Sequence, residues 1–214
     1  MIYSHRDCKN VPLQDKIKKI INKKEGFFIE LGANDGLFQS NTAFFEKEMG
    51  WTGILIEPSV KGYEKCKINR PNSICLNYAC VSSDFNEEYI MGDFQNNNPM
   101  ASVDGLRSKT KHLIPVKAIT LEKILDRFCN KNIDFLSLDT EGYELNILKG
   151  INLEKYRPNY MLIEIYRKDF LNIIEYLKLN NYRLHSNMTN YNKSDNPLWD
   201  GTHNDYLFID NKLY

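Results

Sequence analysis

The sequence carries no excess of charge of either sign: 28 Lys and Arg stand against 28 Asp and Glu in 214 residues. A balanced chain sets up no global field to recruit nucleic acid or an anionic membrane, so recognition has to be local and led by shape. Cysteine is scarce and unpatterned. Cys8, Cys66, Cys75, Cys80 and Cys129 include no CxxC pair and no zinc-site spacing, and an odd number argues against a complete disulfide framework. A reducing compartment, the cytoplasm, is expected. No window approaches the roughly 18 apolar residues of a membrane span. The opening Met1-Ile2-Tyr3-Ser4-His5-Arg6-Asp7 lacks the apolar stretch of a signal peptide. No Pro/Gly/Ser-rich linker divides the chain and no internal repeat runs through it, so a single domain over 1–214 is expected.

What is present is a core former: 42% of residues are hydrophobic and 12% aromatic. Leu13, Ile17, Ile20 and Ile21 fall at helical spacing among lysines, predicting an amphipathic N-terminal helix within an extension over residues 1–25 whose basic side faces water. Strand-like runs follow at Phe27 to Leu31, Gly53 to Glu57, Ile74 to Ala79, Ile133 to Asp139, Asn159 to Glu164, Tyr182 to His185 and Tyr206 to Ile209. Between them lie helix-like segments at Thr42 to Met49, Ser59 to Ile68, Leu121 to Cys129, Tyr143 to Lys149 and Phe170 to Leu179. The alternation predicts βαβ units and a mostly parallel sheet. The last two strands have no helix between them, so a terminal antiparallel strand is expected. Residues 92–112 and 186–204 are long, polar and punctuated by Asn and Pro, the pattern of binding loops.

In an open α/β sheet the ligand crevice lies beyond the carboxyl ends of the strands. The first strand runs into Glu30-Leu31-Gly32-Ala33-Asn34-Asp35-Gly36, where Gly32 and Gly36 let the backbone turn tightly and come close to a ligand. The spacing is not GxGxxG, and Glu30 and Asp35 would face a pyrophosphate with negative charge. A nicotinamide dinucleotide is therefore disfavoured, and the nucleotide that suits the acids is the cationic S-adenosylmethionine. About 20 residues after Gly36 the second strand ends in Glu57, placed to accept both hydroxyls of a ribose. On the third strand small Ala79 and Cys80 would admit the edge of an adenine.

A fourth strand delivers Asp139, followed by Glu141 and Glu144 where a helix begins. Glu144 suits a structural role at the helix start, leaving Asp139 and Glu141 to face the transferred group. Two carboxylates could also hold a Mg²⁺ ion, but with no identified third ligand a metal site is not expected.

Taken in order, Glu30 to Gly36, Leu55-Ile56-Glu57-Pro58, Asn77-Tyr78-Ala79, Met100-Ala101-Ser102, Thr120-Leu121, Asp139-Thr140-Glu141-Gly142-Tyr143-Glu144 with Leu148-Lys149-Gly150, Ile163-Glu164 and Asn204 to Ile209 resemble the FkbM-type S-adenosylmethionine-dependent methyltransferases. The resemblance implies the class I methyltransferase fold, a Rossmann-like three-layer α/β sandwich with a mostly parallel seven-stranded sheet and a C-terminal antiparallel strand. It also implies O-methylation, commonly of a sugar or secondary-metabolite hydroxyl. Its cofactor positions correspond to Glu30, Gly32, Asn34, Asp35, Gly36 and Glu57, and its acidic motif to Asp139, Glu141 and Glu144. Residues 1–25 and 186–203 have no counterpart in it.

Methyl transfer needs an acceptor oxygen in line with the methyl carbon and a base for its proton. Asp139, Glu141 and His203 are the catalytic candidates, with His185 a further possibility for the base; Asp139 and Ala79 join the cofactor set. Ser102, Glu164 and Trp199 are the substrate-side candidates, Trp199 with Tyr191 and Phe94 as stacking surfaces and Asn96, Asn97 and Asn98 as hydrogen-bonding groups. The expected partner is a small-molecule or glycan acceptor rather than nucleic acid, with the oligomeric state open. A catalytically silent cofactor-binding module is the alternative.

Overall fold

The computed structural model describes residues 1–95, 100–105 and 112–213. In chain order the strands are β1 (Phe27–Leu31), β2 (Thr52–Ile56), β3 (Ile74–Leu76), β4 (Ala79–Val81), β5 (Tyr89–Gly92), β6 (Ile114–Thr120), β7 (Phe135–Leu138), β8 (Tyr160–Tyr166), β9 (Tyr182–Asn187) and β10 (His203–Asp210). The helices are α1 (Leu13–Ile21), α2 (Ala43–Met49), α3 (Val60–Asn69), α4 (Leu121–Phe128), α5 (Glu144–Leu148) and α6 (Phe170–Leu179). Seven strands form one sheet in the order β3-β2-β1-β7-β8-β10-β9. The pairs from β3 through β8 are parallel, while β10 runs antiparallel to both β8 and β9. The order reverses between β1 and β7, and there the crevice opens.

Period-2 alternation divides the core between the two faces of the sheet. Phe27, Ile29, Leu31, Leu136, Leu138, Met161 and Ile163 pack with Leu121, Ile124 and Leu125 of α4, Ile147 and Leu148 of α5, and Ile173 and Leu177 of α6. Phe28, Leu55, Phe135, Leu162 and Leu207 turn the other way, onto Leu13 and Ile17 of α1, Phe45 of α2 and Cys66 of α3. The N-terminal helix is thus part of a core layer, with Lys18 and Lys19 on its exposed side.

A second, three-stranded sheet in the order β4-β6-β5 departs from the sequence expectation. The run Ile74 to Ala79 reads as one strand, but the chain breaks at Asn77, whose side-chain amide donates to the carbonyls of Glu57 and Pro58, each at 2.9 Å. Beyond that break Ala79 to Val81 pairs with β6 instead of continuing along β2. Among the described residues no helix is long and apolar enough to cross a membrane.

Candidate active site

At the carboxyl ends of β1, β2 and β7 lies a cleft of about 830 Å³, whose wall includes Gly32, Asn34, Glu57, Ala79, Asp139 and Glu141. Gly32 is held at φ +78, and a Cβ there would fall 1.8 Å from the carbonyl oxygen of Asp139, so only glycine lets β1 and β7 close at this point. Its amide donates to the Ile56 carbonyl at 3.1 Å, carrying sheet pairing into the turn. Asn34 follows at φ +49, and its amide donates to Glu57 Oε2 at 2.7 Å while the Ser59 amide donates to Oε1 at 2.8 Å. Both oxygens of Glu57 are therefore fixed by backbone, each with a lone pair left for a diol. Burial outweighs those two bonds and pushes the Glu57 carboxyl up to about 7.

The far end of the cleft is acidic. Asp139 follows β7, and Glu141 occupies the next loop with φ +58, a left-handed conformation that side chains rarely take, followed by Gly142 at φ +100. Glu144 holds this loop: its Oε1 accepts from the Thr140 amide at 2.9 Å, the Thr140 hydroxyl at 3.0 Å and the Gly142 amide at 3.0 Å. Glu141 Oε2 accepts from the Tyr166 hydroxyl at 2.6 Å. Glu164, on β8, brings a third carboxylate, and Asp139, Glu141 and Glu164 each offer a ligand atom within 4.8 Å of the others. Burial, then the neighbouring acids, hold the Asp139 and Glu164 carboxyls well above the ordinary range. His203, first residue of β10, places Nε2 3.4 Å from Glu164 Oε1.

The model of the methyltransferase FkbM domain matches residues 30–184. This chain belongs to the FkbM methyltransferase family. Its fold is similar to that of Aeropyrum pernix fibrillarin in complex with natively bound S-adenosyl-L-methionine (TM-score 0.52, 11% identity, 87% of this chain and 67% of that one). It is also similar to the METTL16 methyltransferase domain (TM-score 0.52, 12% identity, 94% and 66%). A third similar structure is precorrin-6y C5,15-methyltransferase from Geobacter metallireducens (TM-score 0.50, 9% identity, 92% and 86%). At these identities the likeness is one of fold, the class I methyltransferase sandwich. No curated protein matches the sequence.

Within the FkbM domain five residues expected at the ligand lie off the cleft wall, Glu164 being one of them. Glu30 shares a strand face with Phe28 and turns into the layer of α2 and α3, 3% exposed. There it accepts from the hydroxyls of Ser40 (2.8 Å) and Thr42 (2.5 Å) and the Asn41 amide (2.9 Å), with the buried Arg70 guanidinium at 3.6 Å. Asp35 folds back on its own turn, its Oδ1 accepting from the Leu37 and Phe38 amides at 2.9 and 2.8 Å. Gly36, at φ +80, gives its carbonyl to Arg70 at 2.9 Å and leaves room for the Arg70 and Cys66 side chains. Ser102 is buried, its carbonyl accepting from the Asp93 amide at 3.2 Å and its own amide donating to the Asp93 carboxylate, while its neighbours Ala101 and Val103 reach the wall.

The acceptor-side residues divide as well. Trp199 and Tyr191 line a second cavity of about 540 Å³ together with His203, Arg167, Asn204 and Tyr206. The Arg167 guanidinium lies over the Trp199 ring at 5.3 Å. Phe94 is buried and lines the first cleft, His185 is exposed on β9, and Asn96, Asn97 and Asn98 lie outside the described residues. Sequence reasoning missed the N-terminal segment as a neighbour of the site. The Tyr191 hydroxyl donates to the Arg6 carbonyl, the Cys8 amide donates to the Thr189 carbonyl at 2.8 Å, and His203 is close enough to His5 to help lower its pKa, burial being the larger cause.

Proposed function

We propose that the chain is an S-adenosylmethionine-dependent O-methyltransferase acting on a hydroxyl of a sugar or glycan. The observation that carries this reading is the union in one cleft of a carboxylate preset for a diol, Glu57, with an acidic end formed by Asp139 and Glu141. These residues fit the donor: Glu57 would hold the ribose, the small Ala79 would border the adenine, and the acids would face the cationic methionine end. When bound, that cofactor supplies an already activated methyl group. The chain's own task is to position and deprotonate the acceptor.

Asp139 takes the acceptor's proton in this reading, since its raised pKa makes the carboxylate a better base near neutral pH. Glu141 orients the hydroxyl and His203 joins the acid centre to the second cavity. There Trp199, Tyr191 and Asn204 offer the mix of ring faces and amide groups that suits a pyranose. Net charge zero favours a small-molecule or glycan acceptor over nucleic acid, and the odd cysteine count favours the cytoplasm. The test is transfer of a labelled methyl group to sugar nucleotides and free glycosides. Asp139→Asn should lower turnover by about 100-fold or more while the fold survives. A protein that binds the donor but labels no hydroxyl acceptor, or an unchanged rate in the variant, would sink the assignment.

A further inference from the structure

The acid centre holds one oxygen that the fold leaves without a partner. Glu164 is 7% exposed, and its Oε2 is buried with no hydrogen-bond donor. Its other oxygen has His203 Nε2 at 3.4 Å. A charged carboxylate oxygen left in this way costs about 1–3 kcal/mol or more, and what relieves it is either a proton shared with the neighbouring Asp139 carboxyl or a cation between the acids. Glu164 belongs to the same three-carboxylate cluster as Asp139 and Glu141, whose donor atoms lie within 4.8 Å of one another. Two oxygens on opposite sides of one cation stand about 4.2 Å apart for Mg²⁺ and about 4.6–5.2 Å apart for Ca²⁺. The cluster therefore spans a single hard cation with little or no movement.

We propose that Asp139, Glu141 and Glu164 bind one hard divalent cation of the Mg²⁺ or Mn²⁺ type, with Glu164 Oε2 as the ligand that the protein alone leaves unpaired. Three elements supply the ligands: the end of β7, the loop after it and the end of β8. The strained φ of +58 at Glu141 has a use in this arrangement, because it aims that carboxylate at the other two instead of letting the helix start one turn earlier. Each residue contributes one oxygen, and a cation held between them would pull the Asp139 carboxyl back down, so its raised pKa belongs to the metal-free protein. A cation with open positions on the side of the cleft wall that Asp139 and Glu141 form would bind neighbouring hydroxyls of the acceptor, the diol arrangement of a sugar. That consequence rests on the O-methyltransferase reading; the site itself does not.

The test uses the full chain stripped with EDTA and titrated with Mn²⁺, free ion being read by electron paramagnetic resonance in the absence of donor and acceptor. One saturable site per chain is expected, displaced by excess Mg²⁺. Glu164→Gln and Glu141→Gln should each weaken it roughly tenfold or more. Glu164→Gln should keep its circular dichroism melt and bind S-adenosylmethionine within about twofold of the parent by calorimetry, since Glu164, unlike Glu141, is not on the wall of the donor cleft. Absence of saturable Mn²⁺ binding in a parent protein that is folded and binds the donor would overturn the proposal. So would equal Mn²⁺ affinity in the parent and Glu164→Gln. If Glu164→Gln lost donor affinity and the parent bound no Mn²⁺, the unpaired oxygen would belong to the donor's cationic end instead. Because Mn²⁺ binding is read without any acceptor, failure of the methyl-transfer assay leaves this result standing on its own.

Discussion

Glu30 and Glu57 are both acids at strand ends, yet they meet different surroundings and should fail differently when changed. Glu30 is enclosed by Ser40, Asn41, Thr42 and Arg70, so Glu30→Gln leaves the fully buried guanidinium with one fewer carboxylate. A loss of about 3 kcal/mol or more in stability by urea denaturation is expected, with donor affinity of the folded fraction kept. Glu57→Gln should do the reverse. It retains the shape but keeps only one of the Asn34 and Ser59 backbone contacts, since its amide nitrogen cannot accept, and it removes a charged acceptor worth about 1.5–3 kcal/mol, or roughly 10- to 150-fold in donor affinity by calorimetry. Gly32→Ala places a methyl 1.8 Å from the Asp139 carbonyl at a φ of +78. That change should cost above about 4 kcal/mol and prevent soluble expression or collapse the melt.

Among the elements, α1 and the β7–α5 connection matter most to the site. The hydrophobic spacing of Leu13 and Ile17 announces a helix, and the structure seats both side chains, fully buried, against the sheet face that also carries Phe28 and Leu207. Leu13→Ala should therefore destabilise the whole molecule by about 2–5 kcal/mol in chemical denaturation. A loss under about 1 kcal/mol would show that α1 is an appendage and not part of the core layer. The β3–β4 break was not legible because both halves are apolar and β-prone. What divides them is a side-chain amide from Asn77 reaching two carbonyls some twenty residues earlier in the chain, a contact with no local pattern. In the β7–α5 loop the acids and the structural part of Glu144 are plain in the sequence, whereas the particular bonds by which Glu144 holds the loop, to Thr140 and Gly142, follow from where the turn directs each side chain.

At the scale of the whole molecule, stability should vary with pH through Glu57. Its carboxyl stands at about 7 in the fold against 4.5 ordinarily, so between those values the folded chain retains a proton that the unfolded chain has lost. Stability then falls as pH rises from about 4.5 and levels off above about 7, by on the order of 3 kcal/mol from this group. Melting temperatures of the donor-free protein across that range should show the fall, and Glu57→Gln should make it shallower, leaving the part that the raised carboxyls of Asp139, Glu164, Glu144 and Asp205 supply. A Glu57→Gln variant with the same slope as the parent would assign the dependence to other groups.

The sequence by itself determined the seven strands of the main sheet and the helices between them, though not the second sheet, together with the class of fold and the family, because these rest on periodicity and on short motifs in which each residue's neighbours along the chain do most of the work. It also marked Gly32, Asn34, Glu57, Ala79, Asp139 and Glu141, all of which the fold brings to one wall. Tertiary structure decided the rest. It turned Glu30 away from that wall, because alternate residues of a buried strand leave on opposite faces. It carried the N-terminal segment to the 186–204 loop. And it placed Glu164, remote in sequence, beside Asp139 and Glu141 because β8 lies next to β7 in the sheet, so that the third carboxylate missing from the linear motif is supplied by strand order.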